Sequence, residues 1–179
     1  MNRFITLVLA FCLLSPGFAQ ALERSDIGGE FYTRHTFKVE KRRYRTTNYL
    51  KGKVLPINTR MTLLKYNRHV LIFRRHDTGG KLRIDNIRKY SVTDINSIFD
   101  RMFSADPTDL DQYPESIANN IRQGIVEPGM TKKQVILALG YPPAHETPSP
   151  EVDQWRYWTS RTNTILLHFE GGKVTHISE

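Results

Sequence analysis

Residues 129–158, GMTKKQVILALGYPPAHETPSPEVDQWRYW, decide how this 179-residue chain is read. Thr131 stands three residues before Gln134, the spacing of a capping box, and Met130 and Val135 flank them as a hydrophobic staple. Together these predict a helix beginning at Lys132. Gly140 stops it, and Pro142-Pro143 prevents it from resuming. Lys132 and Lys133 oppose the helix dipole in the first turn, which costs about some tenths of a kcal/mol. The apolar run 135–139 would also suit a buried strand, and the caps on both sides select the helix.

Downstream, a Pro/Ser/Glu loop over 142–153 leads to a strand over 154–159. Alternation puts Trp155 and Tyr157 on one face of it and Arg156 and Trp158 on the other. A second strand, 164–169, points Ile165, Leu167 and Phe169 one way, and the Gly171-Gly172 turn returns the chain along 174–177. Upstream, Pro114 suits the first position of a helix, in which Ile117, Ala118 and Ile121 recur at helical spacing before Gly124. The order is helix, helix, strand, strand, strand.

Gly129-Met130-Thr131, Val135, Leu139-Gly140, Pro142, Trp155 and Tyr157, a Leu/Phe strand, Gly171-Gly172-Lys173-Val174 and Ile177 together resemble the BamE (SmpA/OmlA) family over residues 115–179. These are small ααβββ domains of the outer-membrane β-barrel assembly machinery. The same layout is similar to each half of the β-lactamase inhibitory protein. The resemblance implies a cell-envelope protein whose sheet and loops contact other proteins, with no active site. An inhibitor of a secreted hydrolase is the alternative it brings. Two features depart from the assembly-machinery member: it is a lipoprotein, and it has no basic N-terminal unit.

That unit is the other half of the reading. Residues 22–93 hold 18 Lys/Arg against six Asp/Glu, and residues 94–179 hold seven against 12. A charge contrast of this size predicts two units with different surroundings. Runs at 62–66, 70–73 and 82–87 read as a meander, with Asn67-Arg68-His69 in the first turn and Asp77-Thr78-Gly79-Gly80 in the second. Both Gly79 and Gly80 are expected to supply positive φ. Phe37 and Val39 alternate with polar neighbours, and residues 55–59 read as the start of another strand, where Pro56 suits an edge. Five or so short strands in some 60 residues suggest a small barrel. The Gly52-x-x-Leu55-Pro56-x-x-Thr59 run resembles bacterial SH3-like domains. The expected fold class is therefore α+β, a basic β-rich unit at 22–93 and an ααβββ domain at 114–179. Between them stand a short helix, capped at Thr93-Asp94 with Ile95, Ile98, Phe99, Met102 and Phe103 on its apolar face, and an acidic linker reaching residue 113.

Residues 38–45 (KVEKRRYR) are the sharpest basic cluster. On an extended strand Lys41, Arg43 and Arg45 share one face, with Arg42 and Tyr44 on the other. Three cations near an anionic lipid surface contribute about 1 kcal/mol each, too little to anchor a protein. Arg74 and Arg75, if close by, would extend the patch. Nucleic acid is the default partner of such a patch in the cytosol. The first 21 residues argue for export instead. Arg3 precedes an apolar stretch, and Ala19-Gln20-Ala21 fits the cleavage rule of a signal peptide, so Leu22 is the expected mature start. Phe11 before Cys12 argues against a lipidation site. Lipid headgroups, lipopolysaccharide, glycan phosphates or an acidic protein then replace nucleic acid as the expected partner, in the periplasm or outside the cell.

Little nominates chemistry. Cys12, the one cysteine, lies in the leader, which removes disulfides and thiol catalysis from the mature chain. Asp77-Thr78-Gly79 matches the aspartic-protease tripeptide, but the lead-in Arg74-Arg75-His76 is not apolar and there is no second copy. The six histidines form no metal-ligand spacing, though His168 and His176 flank one turn and would become neighbours. Asp106, Asp109 and Asp111 lack the Gly and Glu of a calcium loop. No catalytic, metal or cofactor residues are expected; an envelope enzyme would betray itself by a deep pocket lined by His or paired carboxylates. The expected protein-binding residues are Arg156, Trp158 and Arg161, and the expected anionic-surface residues are Lys41, Arg43, Arg45, Arg74 and Arg75.

Overall fold

The computed structural model describes residues 22–47 and 49–179, so the expected leader, with Cys12, lies outside the described residues. After a 3-10 turn at Arg24–Asp26 come β1 (Glu30–Thr33), β2 (Phe37–Val39), β3 (Arg43–Arg45), β4 (Lys53–Leu55), β5 (Arg60–Asn67), β6 (Val70–Arg75) and β7 (Lys81–Asp85). Then follow α1 (Arg88–Ser91), α2 (Ile95–Met102) and β8 (Phe103–Ser104). The last third holds α3 (Glu115–Gln123), α4 (Lys132–Leu139), β9 (Gln154–Trp158), β10 (Thr164–Glu170) and β11 (Lys173–Ser178). The fold is α+β.

Six strands make one curled sheet in the order β3-β7-β6-β5-β1-β8, with β2 and β4 paired separately. The meander β5-β6-β7 is its centre. Strict alternation sends Met61, Leu63, Leu71, Phe73, Leu82 and Ile84 inward, all essentially without solvent contact. α2 closes that side. Asp94 accepts a hydrogen bond from the Ser97 N–H at 2.9 Å, and Ile95, Ile98, Phe99 and Met102 recur at helical spacing. Phe99 and Phe103 complete an aromatic cluster around Phe73, whose ring lies 4.2 Å from that of Phe103. Residues 94–103 are thus part of the first core, and the boundary expected at residue 93 falls inside it. Phe103 itself leaves the helix to pair β8 with β1.

The second core lies between α3, α4 and the three-stranded sheet β11-β10-β9. The expected capping box on α4 forms: Gln134 N–H donates to the Thr131 hydroxyl, and Thr131 N–H donates to the Gln134 side chain at 2.7 Å. Met130 and Val135 are fully buried beside it. Trp155 and Tyr157 face the helices, and their polar ends are satisfied. The Trp155 indole donates to the Val152 carbonyl at 3.1 Å, and the Tyr157 hydroxyl to the Gly140 carbonyl at 2.9 Å. Truncating a fully buried aromatic of this kind costs about 3–5 kcal/mol.

The two cores are stitched together by buried hydrogen bonds. Thr36 N–H donates to the Leu137 carbonyl at 2.9 Å and its hydroxyl to the Ile121 carbonyl at 2.6 Å, while that hydroxyl accepts from Ile57 N–H. Ile57 and Leu110, from outside residues 114–179, are buried in the second core. The acidic stretch 105–113 carries no strand or helix, yet Leu110 pins it.

Several local expectations are corrected. β4 ends at Leu55, and residues 56–59 form a turn with Asn58 at φ 64°. In the Asp77-Thr78-Gly79-Gly80 turn only Gly79 has positive φ. Pro114 caps α3 from the position before its first residue. Lys41 and Arg42 are not strand residues: both adopt left-handed backbone, at φ 50° and 62°, in a tight turn.

Candidate functional site

β3 is a three-residue strand at the sheet edge, parallel to β7, and its register makes the basic face. Arg43 lies beside Arg83, which lies beside Ile72, which lies beside Lys65. One step along, Lys81 lies beside Arg74 and Arg74 beside Thr62. With Arg45 two residues from Arg43, six cations from four strands share the outer face of the sheet while the apolar residues point inward. Tyr44, between the two arginines, is buried, and burial raises its hydroxyl pKa well above the usual range.

Asp85 organises one end of this face. Arg43 and Arg83 both donate to its carboxylate, the latter at 2.8 Å. Burial works to raise the Asp85 pKa, but the two guanidinium groups outweigh it and hold the carboxyl below the ordinary range. These two arginines are partly neutralised. Arg45, Lys65, Arg74 and Lys81 form no ion pair among the described residues. Lys41 and Arg42, turned out of the strand, border a shallow groove of about 510 Å³ on the same face, with Ile72 in its floor.

Of the residues expected to bind an anionic surface, Lys41, Arg43, Arg45 and Arg74 are brought together on or beside this face. Arg75 is not. It follows Arg74 in the strand, so it points to the other side, and its guanidinium is held by Asp77 with Nε 3.0 Å from the carboxylate. The expected single-faced trio is also corrected, since Lys41 reaches the face from the turn rather than from the strand. Lys65, Lys81 and Arg83 were missed because each lies singly in its own strand. Only the register of β5, β6 and β7 aligns them.

In the second half, β9 sends Arg156 and Trp158 away from the helices as expected. The chain at 49–50 runs alongside β9 and covers part of that side: Tyr49 bridges to Trp158, and Leu50 N–H donates to the Trp158 carbonyl at 2.8 Å. Trp158 is half-buried in a pocket of about 180 Å³ with Thr47, Tyr49, Tyr90, His145 and Arg161. Its indole N–H and the Thr47 hydroxyl are buried without a hydrogen-bond partner among the described residues. Arg156 reaches Glu146 at 3.6 Å. The rest of this face carries half-buried Leu166 and His168 and exposed His176. His168 and His176 are in register across β10 and β11 with ring centroids 5.6 Å apart, and no group of three metal-ligating side chains occurs among the described residues.

A third cleft, of about 390 Å³, opens beside the outer edge of β3 and is bordered by Lys38, Lys41, Arg43, Arg45 and Lys51 with Glu40. Thr47 and Tyr49 line both this cleft and the Trp158 pocket. Neither is lined by paired carboxylates. No helix among the described residues is long and apolar enough to cross a membrane. Comparison with family models, with curated proteins and with solved structures finds no match to this chain.

Proposed function

We propose that this protein is a non-enzymatic binding protein of the cell envelope that docks on an anionic surface through the outer face of its six-stranded sheet. The supporting observation is the set Arg45, Lys65, Arg74 and Lys81, cations on one face with no ion pair among the described residues, joined by Lys41 and Arg42 at its border. Six such cations near an anionic leaflet contribute about 6 kcal/mol at about 1 kcal/mol each. That corresponds to a dissociation constant of about 40 µM, a reversible and salt-sensitive contact.

The Ala19-Gln20-Ala21 leader pattern supports export, which makes membrane lipid or lipopolysaccharide the partner rather than nucleic acid. The order of α3, α4, β9, β10 and β11, with the box at Thr131 and Gln134 and Trp155 packed beneath, supports a BamE-like domain in the last third. The curled sheet supports only a looser, SH3-like reading of the first. The open side of β9–β11, where Arg156 is exposed, is the surface on which this reading seats a protein partner, with Trp158 and Arg161 at its border.

Cosedimentation with vesicles tests the main reading. Wild type is expected to bind phosphatidylglycerol vesicles at 50 mM salt, release them at 300 mM, and ignore phosphatidylcholine. The Arg74→Glu/Lys81→Glu variant should bind at least tenfold more weakly. Equal binding by this variant removes the proposal.

A further inference from the structure

We propose that the cleft beside β3 and the Trp158 pocket form one groove for a phosphorylated sugar of a glycolipid headgroup, its ring held in the pocket and its phosphate in the cleft. The inference deepens the anionic-surface reading and rests on it for the nature of the surface. It assigns Trp158 and Arg161 to the same ligand as Lys41, Arg43 and Arg45, and leaves Arg156 to the protein-facing side.

Continuity is the first argument. Thr47 and Tyr49 line both spaces, so the two adjoin along this stretch of chain. The two spaces differ in chemistry. The cleft is lined by five cations and one carboxylate; Glu40 has Lys51 at 3.5 Å and Arg43 is held by Asp85, which leaves Lys38, Lys41 and Arg45. Such a field suits a phosphate, which several donors can share.

The pocket is aromatic instead: Tyr49, Tyr90 and Trp158 offer flat apolar surface, with the Tyr90 and His145 rings 4.9 Å apart. It also contains hydrogen-bonding groups left over by folding. The described residues hold three buried side-chain polar atoms without a partner, and two of them, the Trp158 indole nitrogen and the Thr47 oxygen, belong to residues lining this pocket. Folded chains pair the large majority of such groups, so two of them on residues that line one pocket make it the place to seek a ligand that completes them. The indole only donates, whereas the threonine hydroxyl donates or accepts. A sugar hydroxyl does both and brings C–H faces for the aromatic rings. A carboxylate would satisfy the donors but leave the rings unused.

The experiment follows the two indole N–H resonances of 15N-labelled protein at 150 mM salt, with buried Trp155 as the internal control. Glucosamine 1-phosphate is expected to shift the Trp158 indole saturably, at least tenfold more tightly than glucosamine or inorganic phosphate alone. Tyr49→Ala and Arg45→Gln should each weaken it at least fivefold, and exposed Lys51→Gln gives the same test without touching a buried side chain. Vesicles then identify the source. Loss of lipid A vesicle binding in Tyr49→Ala, with phosphatidylglycerol binding retained, supports a glycolipid headgroup.

Glucosamine 1-phosphate binding no better than inorganic phosphate overturns the proposal, and so does N-acetylglutamate moving the Trp158 indole equally. Equal losses on both vesicle types overturn it as well. Because phosphatidylglycerol binding is read through Arg74 and Lys81, which lie outside the groove, failure here and failure of the docking reading are told apart.

Discussion

Gly140 packs its backbone directly against the His35 imidazole, and a Cβ placed on it would lie 2.6 Å from the ring carbon Cε1. The contact sits where the chain leaving α4 meets the segment between β1 and β2, so it joins the two cores. Gly140 also holds φ 78°, where an L side chain is strained, and its carbonyl accepts the Tyr157 hydroxyl.

Gly140→Ala combines overpacking with backbone strain, and a loss of about 3 kcal/mol or more is expected. Urea denaturation checks it. A midpoint equal to wild type would show that the junction yields without cost.

Burial drives the His35 pKa down from 6.5 to about 4, with the Thr36 carbonyl 3.0 Å from Nδ1 only partly opposing. The folded state therefore keeps the ring neutral over a range in which the unfolded chain binds a proton. Stability should be fully present above about pH 6.5 and fall as the pH drops toward 4, by roughly 3 kcal/mol across the window. Denaturation midpoints measured from pH 4 to 8 check this. His35→Gln, with no ring to titrate, should flatten the slope.

Thr36 ties Ile121, Ile57 and Leu137 across the junction, and its hydroxyl both donates and accepts. Thr36→Val keeps the shape but leaves the buried Ile57 N–H unpaired and the Ile121 carbonyl with only the Gly124 N–H at 3.2 Å. A destabilisation of about 1–3 kcal/mol is expected for the orphaned N–H. Amide exchange should accelerate at Ile57 before it does in the centre of β6, and uniform acceleration would contradict a local role.

Asp85→Asn removes the carboxylate that Arg43 and Arg83 share. Two opposite changes are expected in one variant. The short parallel pairing of β3 with β7 should loosen, with a stability loss of about 1–3 kcal/mol, while both guanidinium groups become available to anions. Tighter binding to phosphatidylglycerol vesicles alongside a lower denaturation midpoint is the expected pair of results. Weaker vesicle binding by a folded variant would place the anionic contact elsewhere.

The helices of this protein were legible because their signals are local. The Thr131/Gln134 box, the Asp94 cap and the spacing of Ile95, Ile98, Phe99 and Met102 each lie within a few residues of the turn they govern, and each forms as expected. The same holds for Trp155 and Tyr157 against Arg156 and Trp158, since alternation along one strand needs no partner. Where the local reading failed, another part of the chain had intervened. Lys41 was expected in an extended strand, but residues 41–42 turn so that Glu40 and Arg43 pair with each other and β3 lies along β7.

The candidate site shows the same division more sharply. Composition already revealed that the cations crowd into residues 22–93, and alternation sets Arg74, Lys81 and Arg83 opposite their apolar neighbours, but Lys65 turns outward only at the bulge after Leu63. Neither says which strands are neighbours. Placing Lys65, Arg74 and Lys81 beside Arg43 required the antiparallel register of β5, β6 and β7 and the parallel addition of β3. Gathering Thr47, Tyr49, Tyr90, His145, Trp158 and Arg161 around one pocket required two cores to dock. Periodicity and caps act through bonds and neighbours one turn away, so the amino-acid order alone determined the elements and their faces. Side-chain neighbourhoods between segments up to about a hundred residues apart depend on how those faces bury one another, and only the tertiary structure decided them.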